Sequence, residues 1–240
     1  MEPHMRINWL LLALTLLPVV AAAAETNAST LARLAPDADP RVLSLALEAR
    51  ECASRQLGQT PSPRLAVIDY SRASTLPRLW VFDLDNHRLL FREVVAHGQG
   101  TGENMARAFS NLDGSHQSSL GLFRTVDTYE GHNGYSLRMQ GLEPGTNDAA
   151  MARAIVMHGA PYVNTDTARQ HGRLGRSWGC PALRPQVAKQ VIDSLKNGQM
   201  IFSYYPNSNW LARSPFLGCH NKTVAVAGGS TGGARSVASR

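Results

Sequence analysis

The spacing of apolar residues changes character along the chain, and each change marks an element. Trp9–Val20 (WLLLALTLLPVV) is an unbroken apolar run of twelve residues. Val42, Leu45, Ala46, Ala49, Cys52, Ala53 and Leu57 then recur every three to four residues, which predicts a helix with one buried face. Asp39-Pro40 supplies its cap and a proline at the first helical position, and Gly58 closes it. From Leu65 the runs become short and rich in β-branched and aromatic residues: 65–70, 79–84, 89–97, 121–129, 136–142 and 154–159. Asp85–Arg88 reads as the turn between the second and third of these, and Gly-, Asn- and Ser-rich stretches separate the later ones. Val187, Val191 and Leu195 predict a second helix over 185–197, with Gly198 after it, and 200–205 (MIFSYY) is a last buried strand. Many short strands with two helices describe a mostly-β domain and not alternating βαβ units.

Arg6 ahead of the first apolar run and Ala21–Ala24 behind it form the three-part pattern of a secretory signal over 1–24. The run is shorter than the roughly 20 residues a bilayer requires, and no cysteine follows it to carry a lipid anchor. No later segment is apolar enough to cross a membrane. The expected organisation is therefore a signal (1–24), a linker (25–38), one domain (39–219) and a tail (220–240) with too little to bury to fold. The length of 240 residues fits one domain with appendages, and 43% hydrophobic residues suffice for a core. A formal net charge of +6 gives a mild preference for anionic partners such as cell-wall polymer or lipid head groups. Lys and Arg never cluster in blocks of five, which argues against nucleic acid as a partner.

Chemistry concentrates in GRSWGCPAL (175–183) and MHGAPYV (157–163). Cys180 follows Gly179 in a small-residue turn where backbone N–H groups can crowd around a sulfur and an adjacent oxyanion. His158 ends a predicted strand 22 residues earlier, and a strand, loop and turn of that length can return beside its own start. A thiol with a neighbouring base is a nucleophile, and Arg173 and Arg176 add positive charge nearby. A lone cysteine is otherwise a small buried hydrophobe. Neither a CxxC nor an HExxH spacing occurs, so no metal and no cofactor is expected. Gly98–Gly100 opens no helix and is not a dinucleotide loop. Cys52 and Cys219 are expected to pair as a disulfide if the chain enters an oxidising compartment. His97 reads as a strand-end residue bonded to a loop, with a place in the site as the other reading. His116 and His132 lie in Gly/Asn/Ser-rich loops and read as solvated by default, with lining a groove as the other reading. His171 beside Gly172 suits either substrate contact or a turn, and Ser118–Gly121 either borders a groove or forms a hairpin turn. Trp80 and Trp210 are assigned to the core.

The segment HGAPYV…GRSWGCPAL resembles the signature of the YkuD-type L,D-transpeptidases, a His-Gly followed after a loop by Ser/Thr-x-Gly-Cys. FSNLDGSHQSSLGLFRT (109–125), YEGHNGYSLRMQGLEPG (129–145) and IVMHGAPYV (155–163) resemble one branch of them, the murein L,D-transpeptidase catalytic-domain family of Gram-negative bacteria. The resemblance runs from about Leu65 to Tyr205. It implies a β-sandwich-like domain, here with an N-terminal helix and one helix in the C-terminal half. Cys180 then matches the nucleophile and His158 the general base. Gly159 matches the residue whose carbonyl orients the imidazole, and Gly179 with Cys180 the oxyanion turn. Trp178 stands where many relatives have a second histidine, and Pro181-Ala182 where an apolar residue and Arg are common. Arg176 or Arg184 is the nearest substitute for a carboxylate-binding cation, and Arg176, Ser177, Trp178 and His171 are expected to contact substrate. The implied activity is exported acyl transfer between peptidoglycan stem peptides in the periplasm, with a tetrapeptide donor and a Cys180 thioester. An L,D-carboxypeptidase or amidase using the same residues, or a non-catalytic wall-binding module, are the alternatives.

Overall fold

Three of the expected strands are buried at nearly every position, as central strands covered on both faces must be. They are β1 (Arg64–Asp69), β2 (Leu79–Asp83) and β8 (Met200–Tyr204). The computed structural model describes residues 28–219, so the signal expected over 1–24 and the tail over 220–240 lie outside the described residues. The other strands are β3 (Arg88–Glu93), β4 (Gly121–Gly131), β5 (Gly134–Gly141), β6 (Val156–Gly159) and β7 (Ala182–Leu183). All belong to one eight-stranded sheet in the order β3-β2-β1-β8-β4-β5-β6-β7. The β1–β8 and β6–β7 pairs are parallel and the rest antiparallel.

The expected strand over 89–97 divides at Glu93. Beyond it the chain leaves β2, and Ala96 bridges Ala182 of β7, its N–H donating to the Ala182 carbonyl at 2.9 Å. This bridge joins the two ends of the strand order, so the mostly-β domain is a single sheet nearly closed on itself. Alternation explains the division: Val95 packs into the main core, while Val94 and Ala96 face a second cluster with Ala160, Val163, Ala168, Leu174 and Ala182. That second cluster lies under the segment carrying the cysteine.

Helix α1 covers 28–34 and α2 covers Pro40–Gln56. The stretch 25–38 is therefore no free linker over its described part. Leu31, Ala35 and Ala38 are buried in the core, and the Asp37 carboxylate accepts hydrogen bonds from Arg92 at 2.9–3.1 Å. Helix α2 is capped by Asp39, whose carboxylate accepts the Arg41 N–H at 2.8 Å, and it packs on β1 and β8. Two short helices not foreseen are α3 (Thr165–His171) and α5 (Ser208–Arg213). Helix α4 (Pro185–Leu195) buries Ala188, Val191, Ile192 and Leu195 against the sheet. It stops two residues short of the expected end because Asn197 and Gly198 are both left-handed, with φ of 63° and 86°.

Cys52 of α2 and Cys219 form a disulfide with their Cα atoms 6.2 Å apart, tying the first long helix to the end of the described chain. It closes a loop of sequence separation 167. Replacing both cysteines by alanine should lower unfolding free energy by about 3–4 kcal/mol. Urea unfolding of the double variant measures this, and turnover at room temperature should remain.

Candidate active site

The β6–β7 register builds the site. His158, third residue of β6, lies opposite Ala182 of β7, so the chain returns in parallel beside its own start after α3 and a turn. Cys180 thus precedes the His158 partner by two residues. The Val156 N–H points at Cys180 Sγ from 3.5 Å, and Sγ in turn faces the Ala154 carbonyl at 3.7 Å. The structure therefore brings Cys180 and the His158 strand together, and both side chains are buried.

The imidazole tautomer follows from its partner. His158 Nδ1 lies 3.0 Å from the Gly159 carbonyl, which can only accept, so Nδ1 carries the proton and Nε2 is left as a base. Burial holds the His158 pKa below its ordinary value, against the opposing pull of that carbonyl. Burial also pushes the Cys180 thiol up, outweighing the Val156 N–H, the Arg153 charge and its own backbone N–H. Both shifts favour the neutral forms, a thiol and an imidazole.

Gly179 shapes the turn before the cysteine. Its φ is +122°, and a Cβ there would sit 2.8 Å from the Gln117 carbonyl oxygen and 2.9 Å from Ile155 Cδ1. Ser177 spans the turn: its hydroxyl donates to the Cys180 carbonyl at 2.6 Å and accepts the Gly179 N–H at 3.1 Å. Ser177, expected to contact substrate, is buried with its hydroxyl occupied, so in the structure it builds the turn. The Gly179 N–H is committed to the Ser177 hydroxyl, whereas the Cys180 N–H lies toward its own sulfur. Ser118 holds the turn from behind, donating to the Gly179 carbonyl at 2.9 Å and accepting the Gly98 N–H at 3.0 Å.

Residues 34–204 match the family described as the L,D-transpeptidase catalytic domain, of the YkuD type. The chain belongs to this family. No curated protein sequence matches it. Among solved structures, an L,D-transpeptidase from Mycobacterium smegmatis is 14% identical with a TM-score of 0.40, over 61% of each chain. The helical cell shape determining protein Pgp2 from Campylobacter jejuni is 12% identical with a TM-score of 0.41, over 60% of this chain and 48% of that one. The chain thus spans about half to three-fifths of the length of these two structures. Among the described residues, no helix is long and apolar enough to cross a membrane.

Within the L,D-transpeptidase domain, the two arginines expected to receive a carboxylate are already paired. Arg176 binds Glu103 at 2.7 Å and the Gly102 carbonyl at 3.0 Å, and Arg173 binds the same Glu103 at 2.7 Å. Arg184 forms a two-pronged pair with Glu93 at 2.7 and 2.9 Å. These pairs tie the loop at 99–103 and the end of β3 to the cysteine segment. His171 stands exposed at the end of α3, and His132 lies in the β4–β5 turn, apart from the pair.

Trp178 is 71% exposed and stacks on His116, with ring centroids 4.9 Å apart and planes within 8°. Gln99 fixes His116 by donating to its Nδ1 at 2.9 Å. Of the two readings for His116, solvated loop or groove lining, the structure shows a ring stacked beside the cysteine turn and held by Gln99. An indole has one N–H donor and cannot shuttle a proton, unlike the histidine many relatives have at this position. Trp178→Ala should raise KM about 10-fold and change kcat less, read from steady-state turnover of a stem peptide.

His97 was foreseen as a loop-bonded strand-end residue, and its Nε2 lies 3.2 Å from the Gly102 carbonyl. Its partner on the other side is Arg78, fully buried, whose Nη2 lies 2.8 Å from His97 Nδ1. Arg78 can only donate, so His97 is neutral with its proton on Nε2. Burial, reinforced by the Arg78 charge, lowers its pKa to about 4. The unfolded chain binds a proton here near pH 6.5 and the folded chain refuses it until about 4. Stability from this group is thus complete above about pH 6.5 and lost as pH falls toward 4, a change of about 3 kcal/mol. Urea midpoints from pH 7 to 4 should fall steeply, and His97→Gln should flatten part of that slope.

Arg78 and Arg153 had no distinct signal in the sequence. Arg78 sits at the edge of an apolar run and could have been read as its polar boundary.

Proposed function

We propose that the chain is an exported murein L,D-transpeptidase, a cysteine acyltransferase that uses stem tetrapeptides through a thioester on Cys180. The observation that carries this reading is the β6–β7 register, which sets the Cys180 turn beside a His158 whose Nδ1–H is held by the Gly159 carbonyl. Family membership supplies the substrate class, and the pattern over 1–24 supports export, into the periplasm of a Gram-negative cell.

The chemistry is as follows. His158 Nε2 takes the thiol proton as Sγ bonds to the carbonyl carbon of the third stem residue. The Cys180 N–H stabilises the developing oxyanion, a contribution of about 3–4 kcal/mol for a preorganised donor. The bond to the terminal D-alanine nitrogen breaks, and the imidazolium returns its proton to that amine. An acceptor amine then attacks the thioester, its proton passes to His158, and the thiol is restored. Burial of the site keeps its donors from reorganising and slows hydrolysis of the thioester.

The test is incubation of the mature protein with purified sacculi, followed by mass spectrometry of muropeptides. Newly cross-linked dimers with loss of D-alanine support transpeptidation. Tripeptides alone assign the site to the carboxypeptidase reading. No change in any muropeptide favours the wall-binding module.

A further inference from the structure

Among the arginines around the cysteine turn, Arg153 is bound differently. Arg173, Arg176 and Arg184 are each matched by a carboxylate. Arg153 gives its donors to neutral oxygens: Nη1 to the Ser110 carbonyl and Ser119 Oγ, both at 2.7 Å, and Nη2 to the Gln117 carbonyl at 2.7 Å and Ser115 Oγ at 3.2 Å. Among the described residues no carboxylate comes within ion-pairing distance of it, so its charge is not neutralised by contact. All four acceptors lie in the segment 110–119. That segment also carries Ser118, which holds the Gly179 carbonyl, and His116, which stacks on Trp178. Residue 154, next in the chain, has a left-handed φ of 51° and presents its carbonyl to Cys180 Sγ.

We propose that Arg153 is a positioning residue of this site, clasping the segment 110–119 against the Gly179–Cys180 turn and supplying the positive charge that favours the Cys180 thiolate. The proposal rests on the reading of Cys180 as nucleophile. The oxygen that receives Arg153 Nη2, the Gln117 carbonyl, is the one lying 2.8 Å from where a Cβ on Gly179 would stand, so the guanidinium flanks the cysteine turn, and the other nearby arginines are paired with carboxylates. The remaining titratable groups around the thiol act otherwise. His158 on β6 is neutral, Tyr70 after β1 and Tyr162 after β6 keep their protons with pKa values near 12, and the Asp113 charge acts on Arg153 without an ion pair. Arg78 is turned to Val95 and His97.

Alkylation of the thiol tests this without substrate. With Cys52 and Cys219 paired, Cys180 is the one remaining thiol of three cysteines. Rates with neutral iodoacetamide and anionic iodoacetate are measured from pH 6 to 10 for wild type, Arg153→Gln and Arg153→Lys. Arg153→Gln should slow iodoacetate about 10-fold at neutral pH, slow iodoacetamide less, and move the pH midpoint upward. Arg153→Lys should keep the wild-type iodoacetate-to-iodoacetamide ratio within about 2-fold, because the charge remains. An unchanged ratio and midpoint in Arg153→Gln, or a ratio in Arg153→Lys that falls as far as in Gln, overturns the proposal. Should Arg153→Gln not fold, Arg153→Met, which removes the charge and keeps an unbranched side chain, takes its place with the same expected ratio. Failure of the thioester reading shows separately, as stem-peptide turnover by Cys180→Ser.

Discussion

Cys180→Ser should lose stem-peptide turnover by ~10⁴-fold or more while keeping the wild-type fold. The serine hydroxyl fits the space of the thiol, and the contacts of Sγ with Val156 and Ala154 are weak enough for an oxygen to replace. What it lacks is an anion within reach near neutral pH. The same argument extends to carbapenems, whose strained lactam offers the sulfur an acyl carbonyl. Wild type should gain the mass of one carbapenem and Cys180→Ser should not. His158→Ala should cost less, about 100-fold or more, the scale for a positioned base. The acid limb of kcat/KM should fall below the ordinary histidine range, because burial lowers the His158 pKa. Circular dichroism and melting curves beside the kinetics separate these losses from unfolding. Full turnover by Cys180→Ser would reject the thiol mechanism.

Gly179→Ala should damage the site through the backbone alone. The position requires φ of +122°, and a Cβ would press on the Gln117 carbonyl and Ile155. The Gly98 backbone packs against the same residue: a Cβ on Gly98 would meet Gly179 Cα at 2.8 Å. The turn therefore has no free side toward which to relax. We expect a stability loss of about 2–4 kcal/mol and a turnover loss of ~100-fold or more, since the Cys180 N–H and Sγ shift together. Gly58→Ala is the matched control. Its φ is also positive, at +62°, but no atom lies within 4 Å of the added methyl. It should cost about 1 kcal/mol and leave turnover unchanged. Equal losses in the two variants would show that backbone strain alone, and not the packed turn, is responsible.

The parts of the fold legible in the sequence are those where one property decides. Continuous apolar runs identify β1, β2 and β8 because each is buried on both faces, and a three-to-four spacing with an Asp-Pro start identifies α2. Strand β7 escaped notice because two residues carry no period, and the break of β3 at Glu93 depends on a bridge to a residue 86 positions later. Helix α3 buries only Ala168 and so shows no apolar stripe. At the site, Cys180 and His158 stand out by residue type and local turn. Arg176 and Arg184 looked free because their carboxylate partners lie 73 and 91 residues away. Arg153 was invisible for a related reason: its partners are carbonyls and hydroxyls some 34 to 43 residues upstream.

The account depends most on the thioester. Mature protein mixed with a stem tetrapeptide, quenched in acid during turnover and weighed intact, should show an added mass equal to the tetrapeptide less D-alanine. Peptide mapping should place it on Cys180, and neutral hydroxylamine should remove it. Turnover that proceeds with no acyl group on Cys180, or with the acyl group on another residue, would contradict the account.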